Sequence, residues 1–336
     1  MHKLLLDLEG GDKVGGVPML ERAVLGAVKA VQSTDGVFIG IGNEEKAQRV
    51  LEEKVTEDFD RDRLKLVDVT VDSEPAETHS KRLTEAIVEH ACAHLKDGIA
   101  EGFYTCGNTQ HVLPTLVRPA LVSNKVEKFP GIRKPYLIAQ MPASMVTKKK
   151  YFLCDVGATR THDLRTYKQI VSITKVYAKV LFNEDNPRIG ILSNGVEPTK
   201  GDSVMRVARE ALGIEFVEPE HLYAGEVSGA AVSGVMGNII LKVAEETCNN
   251  VLTDLCALYL PKCSDEEKAK FMQTLKELKK WYDPDEQGVA FFGGFKHMIG
   301  KGHGESSILK YANGALNVYK LLEAGASEEI GKLLEE

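Results

Sequence analysis

Cys106-Gly107-Asn108-Thr109 puts a thiol, a glycine, an amide and a hydroxyl into one turn, between an apolar run reaching Tyr104 and a helix-like stretch from Gln110. A strand, a tight turn and a helix N-terminus in that order present backbone N–H groups and a positive dipole end, which favour an anion. The same chemistry recurs at Gly10-Gly11-Asp12 after an N-terminal strand, at Asn194-Gly195 after another, and at Gly302-His303-Gly304 before a late helix. Several such turns at strand ends of one chain predict a single crevice that binds phosphate.

Other residues fit that chemistry. Glycines on both sides of His303 allow close backbone approach to a ligand, and Ser306 or Ser307 can cap the following helix and donate to an anion. Lys200, in Pro198-Thr199-Lys200-Gly201-Asp202, is a candidate phosphate ligand, and Lys242 lies one helical turn beyond Asn238. Cys106 has two readings. A cysteine at a helix N-terminus has a lowered pKa and suits a covalent acyl-cysteine step; a cysteine at a strand end also serves simply as a small buried residue. No G-x-G-x-x-G, G-x-x-x-x-G-K-[ST] or G-x-S-x-G string occurs, so a Rossmann dehydrogenase, a P-loop ATPase and a serine hydrolase are poorly supported.

The elements that must position these residues alternate. β-type runs fall at residues 3–6, 37–40, 64–69, 103–105, 136–140, 151–155, 188–192 and 229–232, with helical spacing between them, as in Leu20, Ala23, Val24, Ala27, Val28 and Val31. This predicts an α/β fold, a doubly wound, mostly parallel sheet with helices on both faces, in one large domain over 1–336 or in two lobes. Ligands then bind beyond the carboxyl ends of the strands, where the glycine turns collect. Residues 237–281 read instead as a protruding helical hairpin, Gly237–Leu260 and Ser264–Trp281, the second helix opened by a Ser264/Glu267 capping box. Such a hairpin covers the sheet, pairs with a second subunit or touches a membrane surface.

The 336 residues are 43% hydrophobic and 27% charged, the balance of a globular protein, and a net charge of −7 argues against a nucleic-acid partner. The six cysteines show no metal-ligand spacing, no apolar run nears the roughly 20 residues of a membrane span, and the N-terminus carries no signal-peptide pattern. A cytoplasmic protein with reduced thiols is expected.

Taken in order, the strings D-L-E-G-G-D at 7–12, C-G-N-T at 106–109, G-I-R-K-P at 131–135, D-V-G-A-T at 155–159, P-R-I-G-I-L-S-N-G-V-E-P-T-K-G at 187–201, G-N-I-I-L-K at 237–242 and G-H-G-E-S-S at 302–307 resemble the acyl-carrier-protein:phosphate acyltransferase (PlsX-type) family of bacterial phospholipid synthesis, within the phosphate acetyl/butyryltransferase fold. The resemblance runs over nearly the whole chain. It implies transfer of an acyl group from a thioester of acyl carrier protein or CoA to inorganic phosphate, with no cofactor or metal. It also implies a homodimer built partly through the hairpin, and peripheral membrane association.

On this reading Gly107, Asn108, Thr109, Ser306 and Ser307 cradle phosphate, and the matching strings add Asp12, Arg133 and Asp155 to the substrate-binding set. Asn194, Lys200, Asn238 and Lys242 stabilise developing charge, and His303 orients phosphate or carries a proton. The chain departs from the family pattern at Cys106 and Gln110, at Thr159 where the family has an amide, and at Ser233 where it has an acid. Cys106 suits a second reading, a component of a glycine/sarcosine/betaine reductase complex that releases acetyl phosphate from a protein thioester. Ser233 motivates a third, a non-catalytic ligand-binding relative.

Overall fold

A computed structural model describes residues 1–71, 76–118, 125–282 and 289–335, with side chains left out at 76–78. The chain forms two compact units, the first from residues 1–135 and 288–336, the second from 136–287.

In the first unit, β1 (Lys3–Asp7), β2 (Val37–Gly42), β3 (Leu64–Asp68), β4 (Gly102–Thr105), β10 (Ala290–Gly293) and β11 (Met298–Lys301) lie in the order β3-β2-β1-β4-β11-β10. All neighbours are parallel except β10, which runs antiparallel to β11. Leu4, Leu5 and Leu6 are all fully buried, which marks a strand covered on both faces. The helices are α1 (Met19–Ser33), α2 (Glu44–Glu53), α3 (Ala76–Lys96), α4 (Thr109–Val117), α10 (Ile308–Glu323) and α11 (Ala326–Glu335). Helix α1 packs on α10 through Gly26, where a Cβ would stand 2.8 Å from the Tyr311 ring. The chain goes outward from β1 to β2 and β3, then returns past β1 to β4, so its direction of winding reverses between β1 and β4. That is where an open α/β sheet holds ligands.

In the second unit the order is β5-β6-β9-β7-β8. Its strands are β5 (Tyr136–Pro142), β6 (Lys150–Cys154), β7 (Ile189–Leu192), β8 (Phe216–Val217) and β9 (Gly229–Ala231). β5 and β6 form an antiparallel pair and the rest are parallel. Helices α5 (Leu164–Phe182), α6 (Ser203–Leu212) and α7 (Pro219–Tyr223) belong to the body of the unit, and α8 (Gly234–Tyr259) and α9 (Asp265–Tyr282) make the hairpin. The capping box at α9 forms, with Ser264 N donating to Glu267 Oε2 at 2.8 Å. The Trp281 indole donates to Ala143 O at 2.9 Å and ties α9 back to the body of its unit.

The eight expected strands are all present. β8, β10 and β11 were not foreseen: they are two to four residues long, and β10 and β11 sit between glycines that break the apolar pattern. Helix α8 starts three residues before the expected Gly237, because Gly234 and Gly237 both lie against the turn after β6.

Candidate functional site

At the carboxyl edge of the first unit, the turns after β1, β4 and β11 meet. Asp7, the last residue of β1, is fully buried and accepts from Gly10 N at 2.7 Å, Glu9 N at 3.0 Å and Thr105 Oγ1 at 2.6 Å. Thr105 Oγ1 in turn accepts from Gly107 N at 2.9 Å. One carboxylate therefore shapes its own turn and, through a hydroxyl, the next strand's turn. Burial pushes the Asp7 carboxyl upward while the Thr105, Gly10 and Glu9 hydrogen bonds pull it back. The third turn joins through Asp12 N, which donates to Gly304 O at 2.9 Å, and Gly302 N, which donates to Thr105 O at 2.9 Å.

Of the expected cradle, Asn108 is the N-cap of α4: its Oδ1 accepts from Gln110 N at 2.9 Å. Thr109 opens that helix. Gly107 is buried in the turn, its N–H engaged by Thr105 and its α-carbon packed against Thr84 and Val112, so it shapes the turn rather than donating to a ligand. Ser307 caps α10, accepting from Lys310 N at 3.3 Å. Ser306 is buried. His303 is exposed, and its Nδ1 accepts from Glu305 N at 3.3 Å, which assigns the neutral ring's proton to Nε2.

Cys106 is 1% exposed, and its Sγ donates to Tyr104 OH at 3.6 Å. Burial pushes its thiol up to about 11, against smaller lowering effects of Tyr104, Lys301 and Ser306. The lowered pKa expected at a helix N-terminus is overridden by desolvation, and the group is a thiol at neutral pH.

The second unit builds a related turn after β6. Asp155 is fully buried and accepts from Leu137 N at 2.9 Å, Ala158 N at 3.1 Å, Thr159 N at 2.7 Å and Thr159 Oγ1 at 2.7 Å. The turn bears on the start of α8: a Cβ on Gly234 would stand 2.3 Å from Thr159 O, and one on Gly237 would stand 2.0 Å from Asp155 O. Exposed Asn238 follows directly, with its Cβ 4.0 Å from where a Gly157 side chain would begin. Ser233 is the N-cap residue of α8, yet its side chain makes no cap hydrogen bond.

A family model described as Fatty acid synthesis protein matches residues 3–328. The chain belongs to that family. A Phosphate acyltransferase of Brachyspira hyodysenteriae is 28% identical, covering 98% of this chain and 96% of its own length. Another, from a Sulfurovum strain, is 25% identical over 100% of this chain and 99% of its own. Among solved structures, a phosphotransacetylase from Streptococcus pyogenes aligns with a TM-score of 0.56 at 15% identity, covering 98% of this chain and 94% of that one. A branched-chain phosphotransacylase from Enterococcus faecalis aligns at 0.54 and 14% identity, covering 95% and 98%. At those identities the structural likeness speaks for the fold.

Not every expected residue of this Fatty acid synthesis family member joins a cluster. Asn194 is exposed at the end of β7, and Lys200 folds over Gly195, where a Cβ would meet its Cε at 2.8 Å. Lys242 projects from α8 into an ion pair with Glu245 at 2.7 Å. Arg133 is separated from the first unit's turns. It sits beside the Phe129–Gly294 contact, next to the start of β11, whereas the Gly302–Ser307 turn leaves that strand's other end.

Among the described residues, Glu218, Glu220 and His221 form a group within metal-ligand reach, but His221 Nδ1 already accepts from Glu218 N at 3.2 Å at the start of α7. The residues missed from sequence are those that support the turns: Asp7, Thr105, Arg22 and Tyr311 in the first unit, His162 in the second. Tyr311 OH donates to Asp7 O at 2.7 Å. Thr159 gives its proton to Asp155, so it accepts from His162 Nε2 at 2.7 Å, leaving His162 Nδ1 buried without a partner among the described residues. Burial accordingly holds His162 below its ordinary pKa, against the pull of Asp155 and Asp163. Thr159→Val strands the imidazole N–H and removes one of the four bonds to Asp155. It should destabilise the protein by about 1–3 kcal/mol, read as a lower urea midpoint at constant m, with Thr159→Ser close to wild type.

Proposed function

We propose that this chain transfers an acyl group from a thioester to inorganic phosphate, giving an acyl phosphate and a free thiol. The observation that carries the proposal is the meeting of the Gly10–Asp12, Gly107–Thr109 and Gly302–Ser307 turns at the winding reversal, in a chain related end to end to Phosphate acyltransferases. Phosphate is already an anionic nucleophile near neutral pH. A phosphate oxygen attacks the thioester carbonyl carbon, the C–S bond breaks, and the thiolate leaves. The protein holds phosphate in line and stabilises the oxyanion.

Asn108 and Thr109 at the head of α4, Ser307 at the head of α10 and the Nε2–H of His303 are the phosphate-facing groups of the first unit. Asn238, Lys242, Asn194 and Lys200 are the candidates for charge stabilisation in the second. The acyl donor is a thioester of acyl carrier protein or CoA, and neither a cofactor nor a metal takes part. The hairpin is the dimer contact: Val235, Met236, Ile239, Val243, Val251 and Leu258 each leave more than half their surface exposed along α8. Among the described residues no helix is long and apolar enough to cross a membrane, so association with a bilayer would be peripheral.

The buried Cys106 thiol gives no support to the covalent acyl-cysteine or reductase-complex readings. A donor screen tests the proposal: acetyl-CoA, butyryl-CoA and a long-chain acyl carrier protein are each incubated with phosphate, and acyl phosphate is trapped with hydroxylamine. At least one donor should yield hydroxamate in phosphate-dependent excess over the direct reaction of the thioester with hydroxylamine, seen in a phosphate-free blank. Failure of all three would favour the ligand-binding reading.

A further inference from the structure

Arg22 is a cation in the wrong place for an ordinary surface arginine. It lies on the buried stripe of α1 beside Met19 and Ala23 and is 5% exposed. Its two terminal nitrogens donate to backbone carbonyls of different turns, Nη1 to Ser306 O and Nη2 to Asp12 O. Its Nε is buried without a partner among the described residues. Neither acceptor carries charge. Asp12 and Glu305 act on it only through the field, and no ion pair to a carboxylate forms among the described residues. A buried guanidinium held by neutral carbonyls, with no direct ion pair, is costly to bury.

Resting on the reading of the first unit's turns as a phosphate subsite, we propose that Arg22 is the positioning residue of that subsite, clamping the Gly10–Asp12 turn to the Gly302–Ser306 turn and supplying the fixed positive charge that an incoming phosphate neutralises. The fork geometry explains the residue type: two carbonyls on two turns are reached at once by a planar guanidinium, and a lysine reaches one. The charge acts behind the turns rather than at the reacting atoms. Its effect therefore falls on phosphate, and the thioester is untouched.

The test compares Arg22→Met and Arg22→Lys with wild type in the full chain, measuring KM for phosphate, KM for the best donor, kcat and thermal protection by inorganic phosphate alone. Arg22→Met should raise the phosphate KM by roughly 10- to 100-fold, the range for one hydrogen-bonded charge, with donor KM within about twofold. Arg22→Lys should recover part of the loss. Folded Arg22→Met with wild-type phosphate KM and wild-type protection by phosphate would overturn the inference. So would losses in which Arg22→Lys equals Arg22→Met and both KM values rise together, the mark of a merely structural role. If Arg22→Met does not fold, Arg22→Lys alone decides, by whether its phosphate KM rises while its donor KM does not. Should wild type make no acyl phosphate, phosphate protection of wild type but not of the variants would keep this inference while the reading of the reaction fails.

Discussion

Gly10→Ala should lower phosphate-dependent turnover by about 100-fold or more, the scale for displacing reacting groups by an ångström. The clash is not one of backbone conformation. A Cβ on Gly10 would stand 2.1 Å from Asp7 Oδ2 and 2.7 Å from Gly107 N. Both atoms belong to the network that sets the turns after β1 and β4, since Asp7 Oδ2 takes the Thr105 hydroxyl and Thr105 takes Gly107 N. The carboxylate cannot swing away without leaving buried donors unpaired, so the two turns must part. Gly331→Ala is the control. It lies inside α11 with Phe129 no closer than 3.8 Å, and the helix preference of alanine should leave activity unchanged and raise stability by up to about 1 kcal/mol. Steady-state kinetics and thermal melts of both variants make the check.

Gly237→Ala should have a comparable effect in the second unit. Helix propensity alone favours the change by about 1 kcal/mol. Contact opposes it: the new Cβ would stand 2.0 Å from Asp155 O and 2.9 Å from Val232 Cγ1. The Asp155 backbone is tied down on both sides, by its N–H donating to Val232 O at 2.8 Å and by the four donors that hold its side chain. Helix α8 must therefore lift from the turn and carry Asn238 with it. We expect kcat to fall by about 100-fold with cooperative unfolding retained at a lower Tm. Near-normal kcat would show that neither Asn238 nor the head of α8 matters to the reaction.

Much of the scaffold was legible in the sequence because its signals are local. Leu4-Leu5-Leu6 before Gly10-Gly11 and Phe103-Tyr104 before Gly107 are short apolar runs ended by glycine, which is how a doubly covered parallel strand and its turn look in one dimension. The polar partners were hidden for the opposite reason. Asp7 and Asp155 stand at strand ends, where an acid usually faces water, and only folding shows that each is buried and organises a turn. Arg22 interrupts the apolar residues of α1 with a charge, and nothing local marks it as buried. Its acceptors are backbone carbonyls 10 and 284 residues away, which no spacing rule connects. The Gly107 N–H looks available in the sequence, but the hydroxyl of Thr105 two residues earlier takes it. Arg133 came with a matching string, and the string alone carried no information about which end of β11 its loop approaches.

Transfer of phosphate oxygen is the most direct test of the central claim. The protein is incubated with its best thioester donor and phosphate labelled with ¹⁸O, and the acyl phosphate is hydrolysed at the P–O bond before mass analysis of the carboxylic acid. If phosphate is the nucleophile, the acid carries one labelled oxygen from phosphate, free thiol appears in equal amount, and intact-mass measurement finds no acyl adduct on Cys106. Thiol release without phosphate, or an acylated Cys106 that forms before phosphate is added, would contradict direct transfer.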